Sequence, residues 1–333
     1  MLEKTMKKVL NTKIKKWLST ITDDAVKEVI KKDLIITGGC FTSMIDNQPV
    51  NDLDCYFRTK KTVLKVAQYY VDVWNKNHKQ QLNKMGKTIK AFVLNGANPS
   101  QELLDWYHIK SLQDSKAVMI YNTSADRVKL IIPSDGVAGD PTTVNAAEEL
   151  GTASTLLDAP DEVPAAEEEK KEHKPYSPVF ISANALTLTD QIQLIVRFYG
   201  DPAAIHDTYD YEHTKAYYDY GTKELVIPTR VYELTVNKKL VYTGSKYPIA
   251  SMFRMRKFIN RGWNINAGQI LKMAMQTSKL DLENVAVLED QLIGVDSVYF
   301  MQLINQFRQK LSVDPSFVLS SSYVMSIVDK VFN

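Results

Sequence analysis

The chain has 333 residues, 44% hydrophobic and 24% charged, with a net charge of +2. That suffices for one large domain or two modest ones with a buried core. The sequence has no run of about 18 apolar residues and no signal-peptide pattern at its N-terminus. It therefore reads as a cytoplasmic protein with no membrane partner. Cys40, Cys55 and five scattered histidines offer neither a disulfide framework nor a cysteine–histidine zinc site.

Residues 1–32 predict N-terminal helices. In MLEKTMKKVLNTKIKKWL, Met6, Val9, Leu10, Ile14, Trp17 and Leu18 recur at helical spacing and lysines fill the other face. Such a helix docks on the body of the protein with its lysine face solvated; contact with nucleic acid is the alternative. DAVKEVIKK follows behind a Thr22 or Asp23 cap. DLIITGG and NDLDCYF predict strands, and 62–80 a helix. IKAFVLNG, AVMIYNT and DRVKLIIP predict further strands, with a short helix capped by Ser100 between them. Strands mixed with helices give an α+β domain over 33–228, a mixed sheet flanked by helices.

Residues 133–178 interrupt it. Ten Asp or Glu and no Lys or Arg occur between 133 and 169, with few large apolar residues, as in a flexible acidic insertion. Residues 214–261 carry the opposite bias, ten Lys or Arg against three acids, so the insertion could occupy a basic cleft as an internal mimic of nucleic acid. VFISANALTLTDQIQLIVRF is strand-rich. DTYDYEHTKAYYDYGTKELVIP reads as two aromatic strands turning at Asp219-Tyr220-Gly221-Thr222. Residues 229–333 predict a mostly helical C-terminal domain: TRVYELTVN, YPIASMFRMRKFINRG stopped by Gly262, NAGQILKMAMQTS, and SVYFMQLINQFRQKL.

Chemistry concentrates in IITGGCFTSMIDNQPVNDLDCYF. Side chains alternate along a strand, so Asp52 and Asp54 share one face and Leu53 takes the other. Two carboxylates one strand-step apart repel unless a cation lies between them, and hard oxygen ligands suit Mg2+ or Mn2+. Gly38 and Gly39 follow a strand and open a turn whose backbone N–H groups can face an anion, with Thr42 and Ser43 as hydroxyl donors. The competing reading places both aspartates in a loop or cap.

A Gly-Gly pair, a spacer and Asp-Leu-Asp at a strand start resembles the signature of the polymerase-beta-like nucleotidyltransferase superfamily. Residues 196–268 also look similar to bacteriophage proteins assigned that activity. The resemblance implies a nucleotidyltransferase-like fold and transfer of NMP from an NTP to an acceptor hydroxyl on RNA, a nucleotide or a protein. Pyrophosphate leaves, and two Mg2+ ions assist. It also implies a third carboxylate on a neighbouring strand, for which Asp210 in TYDYEH is the candidate and Glu212 the fallback. A phage origin places the protein in the host cytoplasm or on the virion. Thr42-Ser43 departs from the Arg-Asp of the CCA-adding branch, so transfer-RNA repair does not follow.

Arg254, Lys257 and Arg261 fall on one helical stripe, either a solvated face or a contact to triphosphate or RNA. The alternative function is a non-catalytic virion-associated or nucleic-acid-binding protein retaining the fold.

Overall fold

The computed structural model describes residues 2–79, 90–106, 126–131, 174–292 and 306–332, apart from 308, 312 and 315. The acidic stretch 133–173, the AVMIYNT strand and most of the SVYFMQLINQFRQKL helix lie outside these residues. The described residues form two compact units. The first contains those up to 131, 174–207 and 214–232; the second contains 208–213 and those from 233 onward.

In the first unit, α1 (Glu3–Thr20) and α2 (Asp24–Asp33) lead into β1 (Leu34–Thr37), α3 (Gly39–Ile45), β2 (Leu53–Phe57) and α4 (Lys60–Asn77). After β3 (Phe92–Asn95), α5 (Gln101–Trp106) and β4 (Val128–Ile131) come β5 (Pro178–Ile181), β6 (Ala185–Leu188) and β7 (Ile192–Tyr199). The unit closes with α6 (Pro202–His206), β8 (Tyr217–Asp219), β9 (Glu224–Val226) and the first half of α7 (Thr229–Val236). Seven strands make one mixed sheet in the order β5-β6-β7-β2-β1-β8-β9. Its β2–β7 pairing is parallel and the others antiparallel. β3 and β4 form a separate antiparallel pair.

One face of the sheet is apolar by alternation. Leu34, Ile36, Leu53, Cys55, Phe57, Ile192, Leu194 and Val196 are buried in a common core with α1, α2 and α4. Met6, Leu10, Ile14, Trp17 and Leu18 of α1 join that core, whereas Val9 is exposed. The N-terminal helices are thus part of the main core. Trp17 Nε1 donates to the Tyr70 hydroxyl at 2.6 Å, tying α1 to α4 in the interior. Asp23, one of the two expected caps, accepts the backbone N–H groups of Ala25 and Val26. The turn after β8 also forms as expected. Asp219 accepts from the N–H groups of Gly221 and Thr222 and pairs with Arg58. Glycine is required at 221, where a Cβ would stand 2.5 Å from the Lys32 carbonyl oxygen.

The second unit holds β10 (Lys239–Leu240) paired with β11 (Asn264–Ile265), then α8 (Pro248–Asn260), α9 (Ala267–Thr277), α10 (Val285–Leu292) and α11 (Ser321–Phe332). Gly262, at φ +81°, ends α8 as the sequence implies. Two apolar clusters fill the unit. Tyr211, Leu240, Tyr242, Trp263 and Met273 form one; Val285, Leu288, Phe307, Leu319 and Ile327 form the other.

Trp17→Ala removes both the interior ring and its hydrogen bond, and should lower the unfolding free energy by about 3–5 kcal/mol in urea titrations. A loss below about 1 kcal/mol would show that α1 is peripheral to the core.

Candidate functional site

The register of the sheet assembles a polar row. Thr37 of β1 lies opposite Asp54 of β2, and Asp54 lies beside Gln193 of β7. Tyr217 of β8 pairs with Thr37, and Thr187 of β6 with Gln193. Directly paired residues share a face. Five strands therefore carry Tyr217, Thr37, Asp54, Gln193 and Thr187 in line across the face opposite the helical core. Asp52 stands one residue before β2, and both it and Asp54 are half-buried.

The glycine pair sits at the end of β1, beside this row. Gly38 caps α3 at φ 102°, ψ −156°, a conformation open essentially to glycine alone. Gly39 is exposed, and a Cβ added there would meet nothing within 4 Å. Gly38 is buried, so the open, side-chain-free backbone of this turn is at Gly39, close in the chain to the strand that carries Thr37. Thr42 is buried and Ser43 half-buried, both within α3.

Both cysteines adjoin this site. Burial pushes the Cys40 and Cys55 thiols well above their ordinary range, and the neighbouring Asp54 and Asp52 carboxylates push in the same direction. Lys13 of α1 donates to Gln191 Oε1 at 2.8 Å. Burial pulls its ammonium pKa down, while the fields of Asp190 and Asp52 oppose the shift.

Asp210 departs from the expectation. TYDYEH is not a strand: Tyr211 makes an isolated bridge to Tyr242, and Glu212 begins a short 3-10 turn ending at Thr214. Asp210 belongs to the second unit, is buried, and is ion-paired with Arg254. The same pairing gives Arg254, one of the presumed basic stripe, a carboxylate partner. Lys257 is half-buried in α8, and Arg261 is exposed at its C-cap. The strand beside β2 is β7, whose residue next to Asp54 is an amide. Among the described residues no group of three or more His, Cys, Asp or Glu is arranged to hold a metal ion. Asp52 and Asp54 still fit a divalent cation as a pair of hard oxygen donors, and Gln193 adds a neutral donor on the same face.

Two residues of this site escape a reading by motif. Gln193 is signalled only by the alternation of TDQIQLIVRF. His206 ends α6, a short helix set by Gly200 at φ +142°, by Asp201 capping Ala204 N–H at 2.8 Å, and by Pro202 in its first turn. Its Nε2 lies 2.8 Å from Thr37 Oγ1, which itself donates to the Ala216 carbonyl at 2.7 Å. A cleft of about 310 Å³ lined by Glu3, Met6, Ile45, Ile227, Thr229 and Tyr232 includes none of the residues of the row.

A family model described as Gad2, Gabija anti-defense 2 family protein, matches residues 8–238. A relative named Gabija anti-defense 2, from Bacillus phage SPbetaL7, is 32% identical over 62 residues, 19% of this chain and 15% of that protein. The aligned segment thus spans only a small part of the relative. No solved structure matches. These findings correct the superfamily resemblance: the Gly-Gly and Asp-Leu-Asp segments fall inside the Gad2 match, and nothing found points to the polymerase-beta-like superfamily. The phage relative supports a phage origin. Among the described residues no helix is long and apolar enough to cross a membrane.

Two predictions follow from these environments. Cys40 and Cys55 should resist DTNB at neutral pH in the native state and react at once in denaturant, since burial and adjacent carboxylates suppress the thiolate. Rapid native labelling would contradict that placement. In the second unit, His213 is buried against Phe258 and Trp263 at ring separations of 4.5 and 4.3 Å, and desolvation lowers its pKa from 6.5 to about 3. The unfolded state then binds more protons between these values. Stability should be complete above about 6.5 and fall as pH drops toward 3. Calorimetry of His213→Phe should show a shallower acid decline than wild type.

Proposed function

Because this chain belongs to the Gabija anti-defense 2 family, we propose that it is a phage counter-defence protein directed against Gabija. In this reading it acts by divalent-cation-dependent nucleotidyl transfer at Asp52 and Asp54. The observation that carries the chemical part is the pairing of Thr37 with Asp54, which sets the glycine turn, exposed at Gly39, beside two carboxylates on the polar face of the sheet.

Asp52 and Asp54 hold Mg2+ or Mn2+, with Gln193 as the additional oxygen donor. Bound there, such a cation supplies charge neutralisation to a triphosphate and eases ionisation of an acceptor hydroxyl. At the exposed Gly39 the turn admits phosphate oxygens to the backbone without a side chain in the way. The acceptor oxygen then bonds to the α-phosphorus of an NTP, NMP is transferred, and pyrophosphate leaves. RNA and protein are both candidate acceptors; the basic bias of residues 214–261 favours RNA.

The test has two arms. Phage carrying wild-type protein or Asp52→Asn/Asp54→Asn is plated on hosts with and without Gabija. In parallel, purified protein is incubated with Mg2+, each α-labelled NTP and lysate of the Gabija host. The double variant should lose both protection and label transfer by at least about 100-fold while remaining folded by circular dichroism. Undiminished protection by the folded double variant would sink the role of the carboxylate pair.

A second reading, binding without turnover, is favoured by the ion pair of Asp210 with Arg254. Protection that depends on Asp52 and Asp54, with no label on any macromolecule, would select it.

A further inference from the structure

The lysines of α1 fall on two sides of the helix. At about 100° of turn and about 1.5 Å of rise per residue, Lys4, Lys8 and Lys15 lie within about 40° of arc, on a line about 16 Å long. Lys13 stands about 160° around the helix from that line and donates to Gln191 on the other flank. Lys4, Lys8 and Lys15 are exposed, and among the described residues none of them has a carboxylate partner. Glu3, the one acid of α1, is about 120° from the line.

Lys223 extends the line at its Lys15 end. It is exposed in the turn between β8 and β9, with its ammonium over the Tyr220 ring. Partial burial, and then the like charge of Lys15, pull its pKa down to about 8 against the field of Asp219. Lys223 also keeps φ at +62°, a left-handed conformation that glycine adopts at less cost. The turn thus holds a lysine where a glycine would relieve both backbone strain and charge repulsion.

A line of ammonium groups with no acid to answer them attracts a polyanion. Its surroundings select the kind. Phosphate backbones are contacted by Lys together with Ser and Thr, and the exposed Thr12 and Ser19 flank the line. Protein interfaces are instead depleted in Lys and centre on apolar or aromatic anchors. Val9, the exposed apolar residue of α1, is about 120° away around the helix. Insertion into a lipid surface needs a free apolar stripe, and Met6, Leu10, Ile14 and Trp17 are spent in the core.

We propose that Lys4, Lys8, Lys15 and Lys223 form a docking surface for the phosphodiester backbone of a nucleic acid, recognised by charge and not by base sequence. α1 packs on the core face of the sheet, opposite the polar row that carries Asp54. This surface is therefore distinct from the carboxylate site, and binding to it requires no turnover.

The full chain, without Mg2+ or NTP, is titrated by fluorescence anisotropy against labelled DNA duplexes of two unrelated sequences, single-stranded RNA and poly-glutamate, between about 50 and 200 mM salt. Lys4→Gln/Lys8→Gln/Lys15→Gln/Lys223→Gln is compared with Lys61→Gln/Lys76→Gln/Lys239→Gln/Lys279→Gln, which removes four exposed lysines off the line. Circular dichroism checks that both are folded, and Lys8→Glu alone serves as the milder variant. Wild type should bind the two duplexes within about threefold of each other. The first quadruple variant should lose at least about tenfold in affinity and lower the slope of log K against log salt by about 3–4, while the second stays within about threefold of wild type. Lys8→Glu should lose at least about threefold. Tighter binding of duplex or of RNA identifies which nucleic acid supplies the backbone. Equal losses in the two quadruple variants, or no salt-dependent binding by wild type, overturn the proposal. Poly-glutamate bound as tightly as nucleic acid also overturns it, in favour of an acidic protein partner.

Discussion

The pairing of β1 with β2 is the constraint on which the rest depends. Side chains alternate with a period of two, so a slip of one residue would carry Asp54 into the helical core and bring Cys55 to the polar face. What forbids the slip is the apolar set Leu34, Ile36, Leu53, Cys55 and Phe57, all buried against α1, α2 and α4. A carboxylate on that side would be desolvated at large cost. The site therefore takes its geometry from the opposite face: burying one set of residues places Thr37 against Asp54, and β7 extends the line to Gln193.

The aspartates divide according to what surrounds them. Asp33 is buried and accepts from the Thr59 and Thr62 hydroxyls. Asp219 is buried and accepts from Arg58 and from two backbone N–H groups of its turn. Asp210 is buried and held by Arg254. Each is part of the scaffold, where a buried charge persists because donors answer it. Asp52 and Asp54 are half-buried at the start of β2, on the polar face of the sheet and near the exposed Gly39. The Gad2 match spans this part of the chain.

Much of the first unit could be read from residue types. The stripe in α1, the Asp23 cap, the β1 and β2 strands, the turn after Asp219 and the stop at Gly262 all follow from local chemistry. Val9 fits the helical stripe and yet is exposed, because a period of 3.6 marks a sector wider than the core covers. The strand expected at TYDYEH failed for a related reason: Asp between tyrosines has the alternation of a strand, but local pattern does not say whether a partner strand will pair with it.

The sequence by itself determined the apolar faces, the caps and turns, and the spacing that joins Gly38-Gly39 to Asp52 and Asp54, since these depend on neighbours a few positions away. Tertiary structure decided which distant segments meet. It set Gln193 beside Asp54, brought His206 to Thr37 and turned Asp210 toward Arg254. The physical reason is that strand neighbours are selected by burial of whole faces over long separations in the chain. No short window of residues contains that information.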